Sequence, residues 1–433
     1  MSPPRSITAR TPRQAAAAIV RAWLESGEFP DRLFRAVPER RAAVMEMAYG
    51  TIRWHRTLDW VRARFAPRRP PPGLDAILLV GLYELLFMDD VQDYAAVNEA
   101  VEAARAEGGR KGAGLVNALL RRAQAERPAL LPALEKEPPG IRFSHPDVLV
   151  DRWTRHFGRE ATLRLCRSNN RRPEVVIRVN AARCAGRDLL AALRQARVEA
   201  TPHGFDPDRF FILPRGASVA ALPGYAEGWF SVQDPATALA PGLLAPRPGE
   251  RVLDACAAPG GKTAILAEAM EGEGAILAAD ASVERVGRLQ ENLVRLGAGA
   301  VRVARADAAR PETLRAACEK AGLPGTFHAV LLDVPCTNTG VLCRRPDARW
   351  RFSREHLQKA AAKQRAILDG AAGLLEAGGR IVYSTCSLEP EENEGQVSAW
   401  LDAHDNFTLA QSKTLFPPDS DTDGAYAALL VRG

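Results

Sequence analysis

Two cysteines stand where chemistry is easiest to picture. LLDVPCTNTG (331–340) is a buried-strand run that ends on Asp333, Pro335 and Cys336, and IVYSTCS (381–387) is another that ends on Cys386. If the two strands are parallel neighbours, they lie about 4.8 Å apart, and both thiols overhang one crevice at the strands' carboxyl ends. Taken singly, each cysteine is as readily a small buried core residue. As a pair beside a cofactor loop, they suit a thiol-dependent alkyl transfer. C5 of a cytosine is too weak a nucleophile to take a methyl group unaided. A thiolate that adds to C6 turns the ring into an enamine, and C5 then attacks an activated methyl.

The cofactor loop is RVLDACAAPGGKT (251–263). A strand ends near Asp254, a helix begins near Lys262, and small residues lie between: Cys256, Ala257, Ala258, Pro259, Gly260 and Gly261. Small side chains let backbone approach a ligand, and the helix start offers free N–H groups. GGKT imitates the end of a P-loop, but Cys256 stands where that motif requires glycine, and the G-x-G-x-x-G pattern also fails. The competing reading is a tight strand-to-helix turn with no ligand. Asp280 follows the next strand, 20 residues after Gly260, where a carboxylate can take both hydroxyls of a ribose. Asp307 closes the strand after that, within reach of an adenine amine. Each could equally be a turn residue. Together they outline an adenosine pocket without a phosphate signature, which suits S-adenosyl-L-methionine better than NAD or ATP. Lys262 either touches that cofactor or pins Asp254 or Asp333 in an ion pair.

The elements that must position these residues follow from the rest of the 433-residue chain. From 250 onward strand and helix signals alternate (RVLDA, AILAAD, VRVARAD, HAVLLD, RIVYST), which predicts a doubly wound, Rossmann-like α/β domain over 241–433. FTLA and AYAALLVR would close it as an antiparallel hairpin. Residues 141–240 read as a small α/β domain, with a helix opened by Ser144 as N-cap, strands at VVIRVN and RFFIL, and no aromatic RNP pattern. Residues 1–135 read as an all-α domain around the apolar helix Leu74–Met88, with ERPALLPALEKEPPG (126–140) as a linker.

Composition narrows the class. Apolar residues are 46% and charged residues 25%, as in a globular protein. The net charge is +6, distributed as +4 over 1–140, +5 over 141–240 and −3 over 241–433, so the first 240 residues attract polyanions. Only 7 of the 58 basic residues are lysine, so codon bias explains the excess as easily. No C-x-x-C pair or zinc-ligand spacing occurs among the 7 cysteines, so no metal is expected. No run is long enough to span a bilayer, since Ile77–Met88 is short and carries Glu84. The start shows no secretory h-region, so a cytoplasmic location and no membrane partner are expected. Between Arg344 and Arg365 eight basic residues, with Trp350 and Phe352 among them, form a candidate RNA-contacting stretch; a solvated helix face is the alternative.

The motifs CAAPGGKT, LLDVPC and YSTCS, followed by LEPEENE (388–394), occur in the order in which the chain resembles the bacterial 16S rRNA cytosine-C5 methyltransferases of the RsmB (Fmu/Sun) type, within the NOL1/NOP2/Sun family. AVNEAVE (96–102) and KGAGLVNALLRRAQ (111–124) resemble the NusB-like helical RNA-binding domain of that branch, so the likeness covers nearly the whole chain. The resemblance implies an S-adenosylmethionine-dependent rRNA methyltransferase whose partner is RNA, 16S rRNA in the first place, and which acts as a monomer. It implies Cys386 as the nucleophile, Cys336 as the thiol that assists product release, and Asp333 on the cytosine N3/N4 edge and in the cofactor site. Residues 256–262, Asp280 and Asp307 would bind the cofactor. Thr337 and Asn338 depart from the family's usual residues after the PC dipeptide and are expected to be neutral. DGAYAALL (423–430) lacks an expected aromatic pair. The alternatives are a tRNA cytosine-C5 methyltransferase on the same scaffold and a non-catalytic RNA-binding factor in which the helical domain is the working part.

Overall fold

A computed structural model describes residues 11–37, 41–88 and 91–433. Residues 1–10, part of the stretch read for a secretory leader, lie outside the described residues. Two compact units emerge: residues 1–171 with 345–351, and residues 172–344 with 352–433.

The first unit is helical. Its first helix, Pro12–Ser26, starts as its sequence dictates: Pro12 opens it, Thr11 Oγ1 accepts from Gln14 N at 3.3 Å, and Gly27 ends it at φ 64°. Helices Arg41–Arg53 and His55–Phe65 follow, and then the central helix Pro72–Phe87, which is buried on every side. Glu84, the one charge in its apolar run, is almost fully enclosed and bonded to Arg13 at 2.8 Å. Burial still lifts its carboxyl above the usual range. The next helix, Asp93–Glu135, breaks at Gly108–Gly109, where the dihedrals leave the helical region. Contrary to the linker expected over 126–140, it continues through Pro128 and Pro132 to Glu135. Leu130, 3% exposed, anchors that last stretch to the core.

Helices Asp147–Phe157 and Arg159–Asn169 also belong to this unit, so residues 141–171 fold with the helices and residues 172–240 with the sheet below. Ser144 is not an N-cap. Pro146 holds that place, while Ser144 sits at φ 55° and accepts from Arg56 N at 3.0 Å. The expected RNA-contacting stretch is corrected here as well. Arg349 is fully buried, and its guanidinium donates to the carbonyls of Ser144 (3.0 Å), Asn169 (3.1 Å) and Arg53 (3.3 Å) and to Asn170 Oδ1 (2.8 Å). Trp350 Nε1 donates to Ile52 O at 2.8 Å, and Arg351 pairs with Asp347 at 2.6 Å. These side chains are structural; Arg354, Lys359 and Lys363 of that stretch remain exposed. Arg349→Ala strands several buried carbonyls, each costing about 1–3 kcal/mol. A fall in thermal midpoint is expected, and Arg349→Lys should not restore it, because one ammonium cannot reach acceptors spread around a planar fork. An unchanged melt would contradict this.

The second unit contains two sheets. The smaller is antiparallel, of β1 (Val175–Val179), β2 (Thr201–Pro202), β3 (Phe210–Leu213) and β4 (Phe230–Val232), in the order β2-β3-β1-β4. Helix Gly186–Gln195 covers it by packing Leu189 and Leu193 on Ile177 and Phe211. The larger sheet comprises β5 (Arg251–Asp254), β6 (Ala275–Asp280), β7 (Arg302–Arg305), β8 (Phe327–Asp333), β9 (Leu375–Thr385), β10 (Phe407–Leu415) and β11 (Ala425–Arg432). Its order is β10-β11-β9-β8-β5-β6-β7. Strands β5 to β9 are parallel, and the last two form the anticipated antiparallel hairpin against β9. From β5 the chain runs outward through β6 and β7, then returns to the other side of β5 with β8. A crevice for ligand therefore opens at the carboxyl ends of β5 and β8.

Candidate active site

Strands β8 and β9 are parallel neighbours, with Asp333 opposite Ser384. Cys336 lies three residues beyond β8 and Cys386 one residue beyond β9, and their sulfurs stand 3.1 Å apart as free thiols. Asn338, expected to be neutral, is part of this arrangement. It sits at φ 63°, a conformation asparagine tolerates better than most residues. Its Nδ2 donates to Cys336 O at 2.9 Å, and its Oδ1 accepts from Cys386 Sγ at 3.3 Å. Thr337 is equally engaged: its N–H donates to Glu392 at 2.9 Å, and its hydroxyl bonds the same carboxylate. Gly340 donates its N–H to Cys386 O at 2.9 Å. A Cβ there would come within 2.8 Å of that oxygen and 2.7 Å of Gly424 O, so only glycine lets the two loops approach this closely.

The thiols have unlike surroundings. Cys336 is held well above an ordinary thiol, first by its hydrogen bond with Cys386, then by burial and by the charges of Cys386 and Glu392. Burial likewise pushes Cys256 up, which keeps it a thiol and removes it as a nucleophile. Lys262 Nζ lies 2.5 Å from Asp333 Oδ2, while Ser384 Oγ donates to Asp333 Oδ1 at 3.2 Å. Burial pulls the ammonium down, but Asp333, with Cys386 and Asp254, more than offsets it, so the lysine stays charged. Of the two pairings open to Lys262, the direct one is with Asp333. Asp254 instead accepts from Thr263 Oγ1 at 2.7 Å.

Asp254 is fully buried, and burial raises its carboxyl from 3.8 to about 7, despite the bond from Thr263. A carboxyl raised on folding favours the folded state below its unfolded value, and that contribution is lost as pH rises through about 7. The shift corresponds to a loss on the order of 4 kcal/mol between pH 4 and 8. In Asp254→Asn the thermal midpoint should therefore fall less over that interval than in the parent protein. Parallel pH profiles for the two would remove this assignment.

A cavity of about 280 Å³ opens beside Asp333 at the end of β8, lined also by Cys256, Ala257 and Pro259 from the loop after β5, by Lys262 from the following helix and by Gln233 from the segment after β4. Ala258 and Gly261 also face it, and Gly260, at φ 105°, makes the turn into helix Gly261–Ala269. Asp280 and Asp307 stand outside this lining. Asp280 is buried at the end of β6, held by Ser282 N at 2.9 Å and Arg285 at 3.0 Å. Asp307, just past β7, accepts from Ala309 N at 3.1 Å. Gln233 was not anticipated. Its Oε1 accepts from Ser231 Oγ at 3.1 Å, while Nε2, buried at the cavity wall, has no hydrogen-bond partner. An orphaned donor beside a helix N-terminus suits the carboxylate of an amino-acid tail, so the residues present fit S-adenosylmethionine. Among the described residues no group of three His, Cys, Asp or Glu is placed to hold a metal, and no helix is long and apolar enough to cross a membrane.

Comparison with known proteins agrees with this layout. The family model for the 16S rRNA methyltransferase RsmB/F matches residues 241–431, that for the NusB family residues 10–125, and that for a ferredoxin-like domain of RsmF/B-like methyltransferases residues 145–217. The ribosomal RNA small subunit methyltransferase B of Pseudomonas putida is 35% identical over 441 residues, covering 97% of this chain and 98% of that one. Its namesake in Escherichia coli O1:K1 is 33% identical over 439 residues, covering 98% and 99%. Among solved structures, PH0851 superposes with a TM-score of 0.78 at 26% identity, covering 98% of this chain and 99% of that one.

Proposed function

The chain belongs to the RsmB/F family of 16S rRNA methyltransferases, and from that premise we propose that it methylates C5 of a cytosine in 16S rRNA through a covalent bond between Cys386 and C6. The observation that carries this reading is the 3.1 Å approach of Cys336 and Cys386 at the ends of adjacent parallel strands, beside the small-residue loop. S-adenosylmethionine, when bound, supplies an electrophilic methyl group.

Cys386 Sγ adds to C6, and the C5–C6 π electrons make C5 nucleophilic. Asp333, anchored by Lys262 and Ser384, holds the N3/N4 edge of the base and stabilises charge as the adduct forms. Once C5 carries both its hydrogen and the methyl, loss of that proton to water restores the double bond and expels Cys386 as a thiolate, which takes a proton from the neighbouring Cys336 thiol. Residues 256–262 and Asp333 would hold the cofactor, and Asp280 and Asp307, though outside the cavity lining, would serve its ribose and its adenine. A cytosine inside an intact duplex cannot reach Cys386, so the target is an unstacked base in a loop or partly open RNA.

Three regions share the work: residues 1–135 as an RNA-binding helical domain, residues 141–240 as a second RNA contact, and residues 241–433 as the catalytic domain. Support for the second comes from Arg155, Arg159, Arg164 and Arg167, all exposed on two successive helices, whose charge suits phosphates. The protein works as a cytoplasmic monomer. Bisulfite mapping of 16S rRNA and tRNA from cells lacking it tests the assignment. One 16S cytosine should lose its protection. Loss confined to tRNA would transfer the same chemistry to a tRNA substrate, and no loss in either would refute the assignment.

A further inference from the structure

The two sulfurs are held in register by a residue on neither strand. Glu392 lies in the short turn Pro390–Glu392, fully buried. Its Oε1 accepts from Thr337 N at 2.9 Å and from Gln364 Nε2 at 2.9 Å, and its Oε2 from Ser387 Oγ at 2.5 Å and from the Thr337 hydroxyl. Thr337 follows Cys336 and Ser387 follows Cys386. Gln364, from helix Arg354–Ala372, also donates to Pro335 O at 3.0 Å, which pins the other flank of Cys336. Tyr383 OH donates to the Glu392 carbonyl at 2.6 Å. One carboxylate thus gathers both cysteine loops and the helix beside them.

All four of its donors are neutral, and among the described residues it forms no ion pair. A buried charge without a counter-ion is costly unless its hydrogen bonds are complete. It also disfavours a second negative charge nearby. The ionisable groups that face Cys336 are Cys386 and Tyr383 from β9 and its following loop, and Glu392 itself. Asp333 and Lys262, at the foot of the same loops, neutralise one another.

We propose that Glu392 is a positioning residue of the reaction: it sets Cys336 and Cys386 in register and, by its charge, disfavours a thiolate at Cys336. With Glu392 beside it, Cys336 keeps its proton while Cys386 makes the bond to C6. The inference rests on the two-cysteine reading above and adds one group that helps to make the two thiols unequal.

The test needs no RNA. In a Cys386→Ala background, the rate of iodoacetamide alkylation of Cys336 is followed by peptide mass spectrometry from pH 7 to 10, with and without Glu392→Gln. Removing the charge should raise the rate at pH 9 about tenfold, the equivalent of one pH unit. Glu392→Asp keeps the charge and should leave the rate near the parent value. An unchanged rate in Glu392→Gln, or an equal rise in Glu392→Asp, overturns the proposal. In the protein with both cysteines, Glu392→Gln should also lower methyl transfer about tenfold or more, with cofactor affinity kept. If Glu392→Gln does not fold, Thr337→Val and Ser387→Ala each remove one arm, and full turnover in both overturns the proposal. Failure of the adduct reading would show separately, as methyl transfer by Cys386→Ala with the alkylation contrast intact.

Discussion

Cys386→Ala should abolish methyl transfer to RNA, a loss of about a thousandfold or more, while cofactor affinity stays within about twofold of the parent protein. The size follows from the chemistry. Without a sulfur at C6, C5 never becomes an enamine, and an alanine methyl cannot substitute. The selectivity follows from the architecture. Cys386 lies outside the cavity lined by Cys256, Pro259 and Gln233, and its backbone is fixed by Gly340 N on its carbonyl rather than by its thiol. Equilibrium binding of S-adenosylmethionine and single-turnover transfer measure the two halves. Transfer at the parent rate would end the nucleophile assignment, and a parallel loss of cofactor affinity would make the residue structural.

Cys336→Ala should show the opposite signature. Attack by Cys386 proceeds, and release fails, so protein and RNA accumulate as one covalent species that survives denaturing gel electrophoresis. Turnover should fall about a hundredfold or more, with a first methyl transfer still detectable. The 3.1 Å gap between the sulfurs places Cys336 beside any base bonded to Cys386. Absence of the covalent band with a competent RNA would remove the release role. The paired variants separate the two sulfurs in a way no single loss of activity can.

The catalytic sheet could be read from the chain because each buried strand is a short apolar run that ends on a polar residue, as LLD does at Asp333 and IVYST at Thr385. Hydrophobic period and strand length place both cysteines at carboxyl ends, and the strand order makes them neighbours. What escaped such reading depends on partners distant in sequence. Arg344, Arg349 and Trp350 look like a phosphate-binding run with an aromatic insert. Arg344 is spent on Asp234 and Asp423, and Arg349 on carbonyls around residues 144 and 169. Nothing local distinguishes an arginine that meets solvent from one that meets buried carbonyls. Glu392 was hidden for a related reason: LEPEENE carries four glutamates, and only the fold shows that two of them, Glu389 and Glu392, turn inward. Asn338 gave a weak signal, since asparagine readily takes a left-handed turn, but its bonds to both cysteines need the β8–β9 pairing to exist.

The seven residues 345–351 complete the core of a helical unit whose other members all precede residue 172. During synthesis, then, the amino-terminal helices emerge from the ribosome without the side chain that satisfies the carbonyls of Arg53, Ser144 and Asn169. Arg349 is translated some 180 residues after Asn169, when strands β5 to β8 have already been synthesised. The two halves of the polypeptide cannot be parted by a single cut near residue 172 without leaving the first half unfinished. A vector encoding only the amino-terminal helices would have to supply that heptapeptide in trans or graft it on.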